Sequence, residues 1–146
     1  KQLEDFKSGS RTNPVMQPLA NALTDAEIEA VSQVLAAMPA PVPQVVYRSE
    51  MPINAAQKLA QQGAWERQIP ACASCHGPAG TGVGDAFPPL AGQPAAYLEA
   101  QLTAWQSGTR HNDPNDLMGH IAKSLTAEEV QGVAQYFASL KLEAKP

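Results

Sequence analysis

Apolar residues recur along this chain with the period of an α-helix. Between residues 95 and 107, Leu98, Leu102 and Trp105 stand at i, i+4 and i+7 and share one helix face. Gly108 follows where such a helix would end in the left-handed conformation. A second stripe, Val130, Val133, Phe137 and Leu140, is opened by Thr126 with Glu129 three residues on, the pattern of a capping box. Near the other end of the chain Leu3, Phe6 and Gly9 repeat the helix end, Thr24 and Glu27 the capping box, and Ile28, Val31, Leu35 and Met38 the stripe. Residues 55–62 form a shorter predicted helix, followed by Gly63 and Trp65. β-Branched alternation is scarce, and the stretch 38–52 carries four prolines with little periodicity, which reads as a semi-rigid linker with a short extended piece. The pattern predicts an all-α chain whose helices are joined by proline-rich loops.

The echo between the two ends is one of sequence as well as pattern. Residues 2–13 and 101–112 agree at six of twelve positions, and residues 16–36 and 118–138 at eight of twenty-one. The blocks keep their order, separated by Pro14 and Val15 in the first copy and by residues 113–117 in the second. Shared helical composition would not readily give that agreement, so we read a tandem duplication of which only the back half appears twice. The front half of the unit appears once, ahead of Gln101, and its counterpart would lie before Lys1. A domain boundary falls near residue 52.

Composition sets the outer limits. At 146 residues the chain suits one domain or two small ones, which bury a modest fraction of their surface, so something besides side chains is available to complete the core. Fourteen acidic against ten basic residues give a net charge of -4, with no basic run or aromatic-interleaved patch, which argues against nucleic acid as a partner. No stretch of about 18 apolar residues occurs and no apolar signal segment follows Lys1, so the chain reads as a processed protein or a fragment.

Both cysteines of the chain, Cys72 and Cys75, fall in one short segment, with His76 directly after the second. Three chemistries use such a cluster. A structural zinc site needs four ligands, and beyond these residues only His111 and His120 carry imidazoles. A thioredoxin-like dithiol wants the cysteines at the start of a helix in a βαβ setting, which a helical chain does not offer. In covalent haem attachment two thioethers bind the vinyl carbons, and the adjoining histidine becomes the proximal iron ligand. A bare C-x-x-C-H arises by chance often enough that its surroundings must decide.

Those surroundings, residues 72–102 with the Pro-Pro-Leu-Ala-Gly turn at 88–92 and residues 113–140 with their methionine, resemble a class I c-type cytochrome domain over about residues 53–142. The duplicated back half resembles the end of the first domain in two-haem cytochromes of the cytochrome c4 type. The resemblance implies a cytochrome c fold: residues 1–40 as the C-terminal half of a first domain without its haem motif, 41–52 as a Pro-rich linker, and 53–146 as a complete domain. It makes Cys72 and Cys75 the attachment points of haem c, His76 the proximal and Met118 the distal iron ligand. It also makes the Pro88 carbonyl the acceptor of the His76 ring N–H and Leu90 a residue packed on the porphyrin. Met16 aligns with Met118 and stands as the ligand of a second haem that this chain does not itself attach. One haem is expected per chain as given, and two in an intact parent.

A thioether opposite an imidazole fills both axial positions, favours reduced iron and leaves no open site for substrate. Met118 recurs as Met16 in a polar turn outside both apolar stripes, where packing alone gives little reason for it, whereas Met38 and Met51 read as fillers of gaps. Arg110 recurs as Arg11 and suggests a structural hydrogen bond or a pairing with a haem propionate. His111 and His120 read as surface residues, Trp105 and Phe6 as core, and Asp113 and Asp116 as solvated turn residues. The stripe on residues 28–38 would lack its partner helix, and three explanations compete: an earlier start to the protein, a separate fragment, or a homodimer.

The expected function is single-electron transfer between redox partner proteins, without enzymatic catalysis. The resemblance implies the periplasm or the membrane periphery, where covalent haem is attached in bacteria. The runner-up is a cytochrome subunit of a dehydrogenase or oxidase complex, and a peroxidase-like haem enzyme with a displaceable Met118 comes third.

Overall fold

The computed structural model describes residues 1–38 and 54–140, together with the backbone of 42–43 and 142–143. Its helices are α1 (Gln2–Ser8), α2 (Met16–Ala22), α3 (Asp25–Ala37), α4 (Ala55–Gln62), α5 (Cys72–His76), α6 (Ala95–Gln106), α7 (Leu117–Lys123) and α8 (Ala127–Ser139). Short 3-10 turns occupy Trp65–Arg67 and Pro114–Asp116. An antiparallel pair of two-residue strands, β1 (Val42–Pro43) and β2 (Leu142–Glu143), adds the short extended piece predicted within the linker. The rest of that linker, Met51 included, lies outside the described residues.

The helices begin and end where local chemistry dictates. Both capping boxes form: the Thr24 hydroxyl accepts from the Glu27 amide at 3.3 Å and the Glu27 carboxylate accepts from the Thr24 amide at 2.8 Å, with 3.2 and 2.9 Å for Thr126 and Glu129. Asn54 caps α4 by accepting from the Gln57 amide at 2.7 Å. Gly9 and Gly108, at φ of 83° and 75°, take the left-handed conformation after α1 and α6 that a side chain would resist.

Helix α8 is the hub of the second copy, packing on α6 and α4, while α7 rests on α6 and α4 on α5. Its stripe fills two clusters. Val130 and Val133 join Leu59, Ala64, Ile69 and Leu125, and Ala134 and Phe137 join Ala60 and Leu98. Burial of each large side chain stabilises by about 1.5–3 kcal/mol. The loop leaving α5 returns across this hub: the Gly92 amide donates to the Phe137 carbonyl at 2.9 Å, and the Leu90 and Ala91 amides donate to the Gly80 carbonyl at 2.8 and 2.9 Å. At Gly80 φ is +68° and a Cβ would lie 2.7 Å from the Phe137 ring, so only glycine lets the loop sit this close to α8.

In the first copy α1 packs on α2, and of the α3 stripe only Ile28 is buried. The two copies meet through their equivalent turns. The Thr12 amide donates to the Thr109 carbonyl at 2.9 Å and the His111 amide to the Ser10 carbonyl at 3.0 Å, flanking an antiparallel bridge between Arg11 and Arg110. Side chains knit the joint further: Asn112 Nδ2 donates to Asp5 at 2.7 Å and to Gln2 at 3.1 Å.

Candidate cofactor site

Helix α5 is a single turn and a half, and its residues are placed by what precedes it. Ala64 and Ile69 exchange backbone hydrogen bonds at 2.8 and 3.1 Å, and the fully buried Ile69 anchors the chain just before Cys72. Helical spacing at i, i+3 and i+4 then sets Cys72, Cys75 and His76 on one side of the turn. Neither cysteine is in a disulfide. Burial pushes the Cys72 thiol up to about 11, so it is no thiolate at neutral pH and lacks the activation of a redox dithiol. Among the described residues no group of three or more His, Cys, Asp and Glu side chains is placed to hold a bare metal ion, so the zinc alternative lacks its ligand set.

His76 is buried, and its Nδ1 lies 2.8 Å from the Pro88 carbonyl. A carbonyl only accepts, so the proton belongs on Nδ1 and the Nε2 lone pair is left for a ligand. Burial lowers the His76 pKa, opposed by the Pro88 hydrogen bond, and favours the neutral imidazole that ligation needs. Phe87 meets the His76 ring edge to face, centroids 6.1 Å apart. Cys72 and Leu90 pack against the cluster of Ala60, Leu98, Ala134 and Phe137, so an apolar wall adjoins the thiols.

Met118 lies half-buried in the first turn of α7. Its amide donates to Asp113 Oδ2 at 2.6 Å, the Gly119 amide reaches the same oxygen at 3.2 Å, and the Trp105 indole N–H donates to Oδ1 at 3.0 Å. This corrects the reading of Asp113 as a solvated turn residue, because its carboxylate is the meeting point of three N–H donors. Asp116 is exposed and pairs with Lys123. His111 and His120 are exposed as well. Met16 opens α2, half-buried, with its amide and that of Val15 both donating to Asn13 Oδ1 at 2.9 Å.

Arg110 sits at the joint between the copies. It donates to Gln101 at 2.8 Å and Asn112 at 2.9 Å and lies over the Trp105 ring at 3.9 Å. Arg11, itself buried, donates to the same Gln101 oxygen at 2.6 Å, to Gln2 at 2.7 Å and to Tyr97 at 3.1 Å. Among the described residues neither guanidinium has an ion pair with a carboxylate. Burial and the charge of Arg11 pull Arg110 down to about 10. Two cations held together with the Asp5 and Asp113 carboxylates near Arg110 but no direct ion pair suit a further anionic group, as the propionates of a haem would be. The sequence showed that Arg11 and Arg110 recur, but nothing in it signalled that they meet.

The donor set therefore fits haem c: two free thiols beside an apolar wall, a buried imidazole with one nitrogen tied, a methionine fixed by its backbone, and a basic joint. Among the described residues no helix is long and apolar enough to cross a membrane.

Comparison with known proteins agrees. A thiosulfate dehydrogenase electron acceptor from Stutzerimonas stutzeri is 61% identical over 140 residues, covering 96% of this chain and 65% of that protein. A cytochrome c4 from Thiocapsa roseopersicina is 37% identical over 147 residues, covering 96% and 72%. Among solved structures, a thiosulfate dehydrogenase from Marichromatium purpuratum superposes with a TM-score of 0.84 at 48% identity, over 97% of this chain and 30% of that one. Reduced cytochrome c4 from Pseudomonas stutzeri gives 0.80 at 29% identity, over 96% and 78%. The chain thus spans less than two thirds of the length of the electron acceptor it matches. The sequence profile of the cytochrome c family matches residues 53–141, the part that holds the thiols, the imidazole and Met118, and the chain belongs to that family, whose domains carry covalently bound haem c.

Proposed function

We propose that this chain is an electron carrier whose second copy holds haem c through Cys72, Cys75, His76 and Met118, and that it exchanges single electrons with other redox proteins. The observation that carries the reading is the 2.8 Å contact of His76 Nδ1 with the Pro88 carbonyl, which fixes the tautomer a proximal ligand requires. Haem held there by these residues would supply a one-electron couple. The chain's own residues supply placement. Burial lowers the His76 pKa and favours the neutral imidazole, an apolar cluster backs Cys72 and Leu90, and Arg110 with Arg11 offers positive charge to propionates. A pyridine haemochrome assay with intact mass tests this: one haem per chain, lost when both Cys72 and Cys75 become Ser. A colourless protein with two titratable thiols would overturn it.

The names of its relatives support a thiosulfate dehydrogenase as the electron donor, and the attachment of covalent haem outside the bacterial cytoplasm supports the periplasm as the location. Because this chain aligns with 30% of a longer thiosulfate dehydrogenase chain, a second reading is a cytochrome subunit held in such a complex, and co-purification at high salt separates the two. Residues 1–40 form the back half of a first domain in this reading. Residues 41–52 are its Pro-rich linker and 53–146 the complete domain. In an intact parent the open face of α3 receives a front-half segment equivalent to α4 and α5 of the second, and Met16 ligates the haem of that segment, whereas in the chain as given the face stays open.

A further inference from the structure

We propose that Asp113 is the positioning residue of the distal methionine, its two oxygens gathering three N–H groups so that the Met118 turn is tied to the packed interior. The proposal rests on the reading of Met118 as an iron ligand. One oxygen takes the Met118 and Gly119 amides at 2.6 and 3.2 Å, and the other takes the indole N–H of the buried Trp105 at 3.0 Å. Besides these bonds, the turn is held by the Leu117 amide on the Pro114 carbonyl and by the pairing of Asp116 with Lys123. Residues 113–117 replace Pro14 and Val15 of the first copy, and within them Asn115 and Asp116 adopt positive φ of 60° and 52°.

The first copy serves as an internal control. There Asn13, which aligns with Asn112 and not with Asp113, takes the Val15 and Met16 amides on its one oxygen, and the aromatic residue equivalent to Trp105 is Phe6, whose side chain has no N–H to satisfy. Each aromatic ring otherwise has the same neighbour, Arg11 over Phe6 at 4.6 Å and Arg110 over Trp105 at 3.9 Å. A side chain with two acceptor oxygens accompanies the indole, and one with a single acceptor oxygen accompanies the phenyl ring. Phe6 with Asn13 and Trp105 with Asp113 are therefore two chemically closed donor–acceptor sets beside methionine turns of different length.

Exchanging one member alone breaks the closure. In Asp113→Asn one oxygen faces three donors, so either the turn or the indole loses its partner. Adding Trp105→Phe removes the surplus donor and leaves one acceptor oxygen for two amides, the same count as at Asn13 in the first copy. The experiment is imidazole titration of the ferric holoprotein, followed through the far-red band of methionine sulfur on ferric iron. Asp113→Asn is expected to bind imidazole about tenfold more tightly than wild type, as the methionine is released more easily. Trp105→Phe/Asp113→Asn is expected to return to within about twofold, and Asp113→Glu, which keeps both oxygens, to stay within about threefold. A double variant as weak in methionine retention as Asp113→Asn, or an Asp113→Asn protein that holds methionine like wild type, overturns the proposal. A wild-type ferric protein without the far-red band instead defeats the ligand reading itself, before any variant is compared.

Discussion

Helices α3 and α8 carry the same capping box and matching apolar stripes, yet only one stripe is buried. Val130, Val133 and Phe137 are 3–5% exposed, whereas Val31, Leu35 and Met38 are 37%, 60% and 59% exposed. The difference lies outside the helices. Helix α8 has α4 and α6 against it, while the first copy has no counterpart of α4 among the described residues. An amphipathic stripe tells what a helix is able to bury, and its neighbours decide what it does bury.

Cutting equivalent side chains sharpens that contrast most. Phe137→Ala is expected to destabilise the holoprotein by about 3–5 kcal/mol, and Leu35→Ala to stay within about 0.5 kcal/mol, both read by denaturant unfolding. Equal costs would mean that the α3 stripe is packed in solution, and a dependence on protein concentration would then identify a second copy of the chain as its cover.

Next comes the joint between the copies. Arg11→Met removes three hydrogen bonds to Gln2, Tyr97 and Gln101, a loss of about 2 kcal/mol. It should also split one unfolding transition into two, as followed by far-ultraviolet helicity and the haem band. A single unchanged transition would show that the copies are not coupled through this residue.

Smaller still are the caps. Thr126→Ala is expected to cost about 1 kcal/mol because α8 cannot fray without opening the core, and Thr24→Ala less, because α3 can fray alone. Hydrogen exchange in the first turn of each helix distinguishes the two.

The smallest effect is acidic. Hydrogen bonding to Arg67, then to the Thr126 amide, holds the Glu129 carboxyl below its ordinary value, whereas Glu27 is lowered by Thr24 alone. A carboxylate depressed by folding contributes stability above its unfolded pKa and loses it as pH falls through the folded value. Glu129→Gln should therefore flatten the acid limb of the stability curve more than Glu27→Gln does. The reverse order would count against the Arg67 pairing.

What the sequence made legible was local. Stripes, caps and the glycines at 9 and 108 follow from periods of three to four residues, and the duplication follows from direct comparison. The cysteine motif was equally plain, since its chemistry sits in five consecutive residues. Asp113 was misread because its partners are set by a loop shape that the first copy does not share, and its indole donor lies eight residues back on another element. The joint at Arg11 and Gln101, ninety positions apart, has no local signal at all. The packing of α3 was undetermined for the same reason: a stripe does not name its neighbour.

The central claim is that iron in the second copy is held between His76 and Met118, and the far-red methionine band of the ferric protein tests it most directly. Met118→Ala should abolish the band in this chain while Met16→Ala leaves it at full intensity. A band that survives Met118→Ala, or one that disappears with Met16→Ala, would contradict the account.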